Sequence, residues 1–329
     1  MDEKDPDELV KKAQKKLDPG FFKSMFSDTH ERAEKAIRYY TEAAEIYKIK
    51  REWIKAADCY MEIANLKEGL KEDQTDSFNE ALLCYNKGGD TEKDEKITNR
   101  IINIYVKNGE FSNAGELVFE KAKKLLEKAN GDEKKIKEIL ELYEQSLDYY
   151  QMDKNAIEHK TNEIKEAKAD LIVLNGIKEE FSQATHIYEE LAQFYSKSKS
   201  GNIFSKDYYA KIIFFYLAYE DFATAKAFLN KYYEQDGDLC KSDIASFLEN
   251  LIACMENNGL DIKDENNVEV TEDNILNFDI ACQLYKKKIK FNKKIWDNWK
   301  IVMVDKIGKK IQKLKEEKEK EFEDDEDLK

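Results

Sequence analysis

Along this chain an aromatic residue repeatedly stands three positions before an alanine and seven before a second bulky residue. The triplets are Trp53-Ala56-Tyr60, Phe78-Ala81-Tyr85, Phe111-Ala114-Val118, Phe181-Ala184-Tyr188 and Phe222-Ala225-Leu229. Positions i, i+3 and i+7 share one helical face. The small alanine lets a neighbouring helix approach, and the larger side chains fill the space around it. The pattern predicts stacked helix hairpins of the tetratricopeptide kind. Some intervals are about 40 residues rather than about 34, and they are irregular, so either the helices are longer than that repeat's or the connections carry insertions.

The periodicity predicts helices near 30–48, 51–69, 75–87, 92–107, 110–129, 133–151, 155–175, 179–197, 205–219, 221–235 and 241–257, with two more near 274–290 and 292–320. Gly88-Gly89-Asp90, Asn108-Gly109, Asn130-Gly131, Gly201-Asn202 and Asp236-Gly237-Asp238 punctuate them. The polar stretch 258–273 reads as a loop. The fold expected is all-α: a tetratricopeptide-like, right-handed solenoid of antiparallel helix pairs with a C-terminal helical bundle cap. Residues 1–257 form the array and hold an apolar loop near 17–27. Residues 258–320 form the cap, and 321–329 a mobile acidic tail ending near a leucine.

Composition sharpens this. The 329 residues include 2 Pro and 12 Gly, and 38% are charged, which favours long solvated helices over sheets. An aromatic content of 12% supplies enough apolar area to argue against disorder. The net charge of −14 repels phosphate backbones, so nucleic acid is not an expected partner. Cys59, Cys84, Cys240, Cys254 and Cys282 are odd in number and lack CxxC spacing, which fits reduced thiols in a cytosolic protein. No apolar run approaches the ~18 residues that span a bilayer. The polar N-terminus is unlike a secretory signal. A cytoplasmic location with peripheral membrane association is expected.

Catalytic chemistry has no foothold. The histidines, His30, His159 and His186, are far apart and form no HExxH or Cys/His cluster. There is no GxxxxGK[ST] loop and no GxGxxG after a strand. No catalytic residue, metal or cofactor is expected, and the chain reads as a binding protein rather than an enzyme.

Three features invite function. In KLDPGFFKSMFS (16–27), Leu17, Phe21, Phe22, Met25 and Phe26 crowd around the Pro19-Gly20 turn. They either cap the first hairpin by folding back or form an exposed loop that enters a bilayer interface. Burying two Phe would contribute roughly 3–6 kcal/mol before ordering costs. At the other end, Asp324-Asp325-Glu326-Asp327-Leu328 sets one leucine in a run of carboxylates. It is either a solubilising tail or a short motif that steers onto a basic partner and anchors through Leu328. Lastly, 286–315 contains twelve lysines against Asp297 and Asp305, interleaved with Trp296, Trp299, Ile301, Met303, Ile307 and Ile311. This is a helix with an apolar core face and a basic outer face, suited to an acidic protein bundle or to lipid headgroups.

Taken together these features resemble the alpha-type soluble NSF attachment proteins, the SNAP adaptors of SNARE disassembly. The resemblance runs through nearly the whole chain. It rests on FFKSMF at 21–26, AEIYKIKREWIKAADCYMEIANL at 44–66, LYEQSLDYY at 142–150, EFSQATHIYEEL at 180–191, FSKDYYAK at 204–211 and TAKAFLNKY at 224–232. Trp299 and Met303 followed by Ile307 and Lys310-Ile311-Gln312 extend it, and DDEDLK closes it.

The resemblance implies an adaptor, with no ATPase of its own, that coats the syntaxin-like four-helix SNARE complex and recruits the AAA+ ATPase NSF. It implies membrane contact by Phe21 and Phe22, with Met25 and Phe26 adjacent. It implies ATPase docking and activation by Asp324, Asp325, Glu326, Asp327 and Leu328. A basic face that grips the SNARE bundle carries onto Lys206 and onto either Lys165 or Lys168. The sequence departs from the family where Glu110, Glu116 and Asp243 stand at positions usually basic. The basic grip is then either weaker or moved to the lysines of 286–315. The alternative reading is a generic tetratricopeptide-type scaffold in membrane trafficking that activates no ATPase.

Overall fold

A computed structural model describes residues 5–18, 29–197, 202–256, 278–290 and 292–327, with backbone alone at 91, 202–203, 318–319 and 321–327. Among the described residues there are fourteen α-helices, two short 3-10 turns and no strand, so the chain is all-α as its periodicity predicts. They group into two compact units. One comprises 1–130 with 137–157, the other 131–136 with 158–329.

The first unit contains α1 (Pro6–Leu17), α2 (Thr29–Ile49), α3 (Trp53–Leu70), α4 (Thr75–Gly88), α5 (Thr91–Asn108), α6 (Phe111–Glu127) and most of α7 (Glu133–Met152). Helix α1 is not among those expected from periodicity, yet its ends follow helix-terminus chemistry. Asp5 caps it by accepting the Asp7 N–H, Pro6 occupies its first turn, and Lys15 and Lys16 face the negative end of its dipole. Gly89 and Gly109, at two of the predicted breaks, end α4 and α5 in the left-handed region at φ 75° and 78°.

The second unit contains α8 (Glu158–Asn175), α9 (Phe181–Ser196), α10 (Asn202–Tyr219), α11 (Phe222–Gln235), α12 (Asp243–Glu256), α13 (Phe278–Lys288) and α14 (Asn298–Asp327). Helices α13 and α14, which fall in the cap expected over 258–320, pack against α12 and against α10. The expected loop 258–273 lies outside the described residues.

The repeated alanine does what its spacing predicts. Ala56, Ala81, Ala114, Ala184 and Ala225 are all 0% exposed. Each sits where a neighbouring helix leaves no room for a larger side chain. Close approach also occurs at Gly115, where an added Cβ would lie 2.8 Å from the Tyr150 ring. There the Ser146 hydroxyl donates to the Gly115 carbonyl at 2.7 Å, tying α7 to α6.

A second device recurs that the apolar pattern does not disclose. Buried tyrosine rings send their hydroxyls out to a carboxylate on a preceding helix. Tyr47 donates to Asp7 at 2.6 Å, Tyr150 to Glu116 at 2.8 Å, Tyr188 to Asp170 at 2.7 Å and Tyr232 to Glu189 at 2.7 Å. Tyr60 to Glu45 and Tyr85 to Asp58 complete the series in the first unit. Each ring contributes apolar burial, and its polar tip fixes the register of two helices. Burial raises the pKa of all four tyrosines Tyr47, Tyr60, Tyr85 and Tyr232, so they remain neutral donors.

Candidate interaction surfaces

Helix α14 carries both the lysine block and the acidic end, so how it is held decides what it presents. Met303 and Ile307 are fully buried, and Trp299 and Ile311 nearly so. At the start of the helix Lys300 is 0% exposed. Its ammonium reaches Asp207 on α10 at 2.6 Å, the Ile295 carbonyl at 2.9 Å and Asp297 at 3.4 Å. Further on, Lys306 donates to the Tyr219 hydroxyl, and Lys310 donates to the Leu217 carbonyl at 3.1 Å and to that of Glu220. These three lysines face inward at the end and along the side of α10.

Beside them Lys211, 3% exposed, pairs with Glu166 and Asp170 on α8, each at 2.8 Å. Its ammonium lies 5.3 Å from the centre of the Trp299 ring, which meets Tyr188 edge-on. Burial pulls the Lys211 ammonium towards neutrality, but Asp170 and Glu166 outweigh it and keep it charged. Burial pushes the carboxyls of Asp170 and Asp207 up, against the attraction of Lys211 and Lys300. The result is a buried ionic clasp joining α8, α10 and α14.

Beyond Ile311, the last buried residue described, Gln312, Lys313, Glu316, Glu317 and Lys320 are exposed. The helix nonetheless continues to Asp327. At 1.5 Å per residue its 30 residues extend roughly 45 Å. Asp324, Asp325, Glu326 and Asp327 therefore lie on its final turn, a helical setting for a stretch expected as a tail, and Leu328 lies outside the described residues.

The sequence family described as Soluble NSF attachment protein, SNAP, matches residues 4–312. The chain belongs to the SNAP family. It is 27% identical over 321 residues to the Alpha-soluble NSF attachment protein of Saccharomyces cerevisiae, covering 95% of this chain and 99% of that one. It is 27% identical over 260 residues to the Vesicular-fusion protein SEC17 of Komagataella phaffii, covering 78% of this chain and 85% of the relative. The Beta-soluble NSF attachment protein of Bos taurus is 25% identical over 314 residues, covering 94% and 95%. The SNAP match takes in every helix of both units except the last turns of α14, so the acidic end stands outside it.

The site residues carried over from SNAP resemblance fall as follows. Phe21, Phe22, Met25 and Phe26 lie outside the described residues. Leu17, the first of that apolar cluster, is half-buried against the core of the first unit. Lys206 is half-buried on α10. Of the two candidates on α8, Lys168 is 3% exposed, whereas Lys165 reaches the surface and pairs with Glu190 at 2.7 Å. The acidic replacements have internal roles. Glu110 accepts from Asn113 at 2.9 Å at the start of α6, Glu116 accepts from Tyr150, and Asp243 opens α12 with Lys288 at 3.9 Å. No described helix is long and apolar enough to cross a membrane. Sequence reasoning missed the buried lysines.

Proposed function

We propose that this chain is an adaptor that binds assembled SNARE complexes and recruits and stimulates the NSF ATPase, with no ATPase activity of its own. The observation that carries this reading is the SNAP match through both helical units. The name of its yeast relative, Vesicular-fusion protein SEC17, points to the same process. The mechanism is geometric and electrostatic. Each unit is a stack of helices locked by alanine contacts, tyrosine–carboxylate bonds and, in the second, buried ion pairs, so it serves as a stiff template.

The acidic run Asp324–Asp327 steers onto a basic surface of the ATPase, and Leu328 supplies the apolar anchor. Carried on the end of α14, it is coupled to the body through the Lys300–Asp207 contact. Phe21 and Phe22, with Met25 and Phe26, contact the membrane and raise the local concentration of the adaptor there. For the basic grip, exposure favours Lys165 over Lys168, with Lys206 alongside.

The test is reconstituted, ATP-dependent SNARE disassembly. The chain should form a ternary complex with SNAREs and the ATPase. Deleting 324–329 should abolish ATPase stimulation and spare SNARE binding. Unchanged stimulation would refute the tail assignment. Exchanging Phe21 and Phe22 for Ser should slow disassembly on liposomes more than in detergent.

A further inference from the structure

The twelve lysines of 286–315 are unequal in the folded protein. Lys300, Lys306 and Lys310 turn inward. Lys309 pairs with Asp305 at 2.7 Å, and Lys286 lies over the Trp296 ring at 5.4 Å. Lys313 pairs with Glu317 at 3.6 Å, and Lys315 is half-buried further along α14. The other five are concentrated in one place. Lys287, Lys290, Lys293 and Lys294 are exposed, and their ammonium groups have no ion pair or hydrogen bond among the described residues. Lys288 beside them reaches only Asp243, at 3.9 Å.

Lys287 and Lys288 lie on the last turn of α13, and Lys290, Lys293 and Lys294 in the connection to α14, whose described residues are hydrogen-bonded to one another. The Lys290 N–H donates to the Lys287 carbonyl at 3.1 Å. The N–H groups of Ile295 and Trp296 donate to the Asn292 carbonyl, each at 2.9 Å, and the Asn292 side chain accepts the Lys294 N–H at 2.9 Å. Trp296, 5% exposed, packs against Tyr285 at 5.7 Å and Phe247 at 6.0 Å. Lys300 holds the Ile295 carbonyl from below.

Folding gains little from this cluster. Lysines in the last turn of α13 complement its dipole. That explains Lys287 and Lys288 but not Lys290, Lys293 and Lys294, which follow the helix and repel their neighbours. A fixed turn that gathers uncompensated positive charge is preorganised for an anionic surface outside the chain. Bilayer-facing turns present Trp outward. Here Trp296 and Trp299 are both buried, which favours carboxylates on a protein over lipid headgroups.

We propose that the α13–α14 turn is a docking surface for a carboxylate-rich helical partner. Resting on the function proposed above, it is a place where this chain grips the SNARE bundle. It supplies positive charge in a chain whose Glu110 and Glu116 hold hydrogen bonds within the fold, whose Lys165 is paired and whose Lys168 is buried.

The test uses the full chain and a soluble four-helix complex assembled from the same cell's SNAREs. Lys287, Lys290, Lys293 and Lys294 are changed to Glu together, and in a second variant to Gln. The Glu variant should bind the complex roughly 30-fold or more weakly at about 50 mM salt, and the gap should shrink at about 300 mM. The Gln variant should show an intermediate loss at an unchanged melting temperature. Phosphatidylserine liposomes should bind wild type and variants alike. Equal affinity of wild type and both variants for the complex overturns the proposal. So does a loss confined to liposomes, which would assign the turn to headgroups. Failure of the wild type itself to bind the complex would instead sink the adaptor reading, and this inference with it.

Discussion

The two units solve the same packing problem differently. The first closes its interior with alanines, tyrosines and aliphatic side chains, and its described buried polar residues are the small hydroxyl side chains Ser77, Thr98 and Ser146. Its ion pairs, such as Lys93 to Asp58 at 2.9 Å, stay on the surface. The second unit buries Lys168, Lys211 and Lys300. In the first unit register rests on close packing and on tyrosine–carboxylate hydrogen bonds, where a slip leaves a neutral hydroxyl that water can satisfy. At a buried ammonium with fixed carboxylate partners a slip costs more, because it leaves a charge unpaired. The helix held this way is α14, the one whose end bears the proposed ATPase contact. Register is therefore enforced most strictly in the helix that carries the proposed contact.

The contrast can be broken at its strongest point first. Lys300→Ala should destabilise the second unit by about 2–5 kcal/mol, because a fully buried side chain is removed and half-buried Asp207 loses its partner. Urea unfolding of the full chain would measure this, and hydrogen exchange would locate it in α10 and α14. Lys300→Met combined with Asp207→Leu should recover most of the loss. If the double variant is as weak as Lys300→Ala, stranding Asp207 is not what the single change costs and the ionic account is wrong.

Next, Ala81→Leu in the first unit should cost about 1–3 kcal/mol by overpacking. A smaller cost would mean that helices α3 and α4 separate easily, contrary to the complete burial of Ala81.

Acid should separate the units without mutation. Hydrogen bonds from Tyr47 and Ser112 hold the carboxyls of Asp7 and Asp153 below the usual value. A depressed carboxyl contributes stability that is present above its unfolded pKa and lost as pH falls through the folded one. Asp170 and Asp207 are pushed up by burial, so their contribution has the opposite sign. It is fully present below the unfolded pKa and lost as pH rises through the folded value. Hydrogen exchange at decreasing pH should show α1 and the end of α7 losing protection before α10. Simultaneous opening would contradict the assigned directions.

The smallest effect is expected from Lys93→Ala, which removes a surface pair and should change stability by at most about 1 kcal/mol.

Much of the architecture was legible because it is local. The spacing of Trp53, Ala56 and Tyr60 puts all three on one helical face in any context, and the five alanines so marked are all fully buried. Helix α1 could have been found from Asp5-Pro6 and the lysines at its end. Its apolar face was readable too, since Leu9, Val10, Ala13 and Leu17 recur at helical spacing and all pack on the core. The lysine block shows where sequence stops. Lys287, Lys300 and Lys306 have the same composition and the same helical propensity, and nothing local distinguishes them.

The sequence by itself determined that this chain is helical, where most helices begin and end, which face each buries, and that charge is segregated at its C-terminal end. Those properties depend on neighbours within two turns. Only the tertiary structure decided which lysines are core, which are bonded to carbonyls and which remain available to a partner. It also decided that Asp207, far from α14 in sequence, holds the base of that helix. The fate of a charge depends on what lies within a few ångströms of it in space, and chain order does not contain that information.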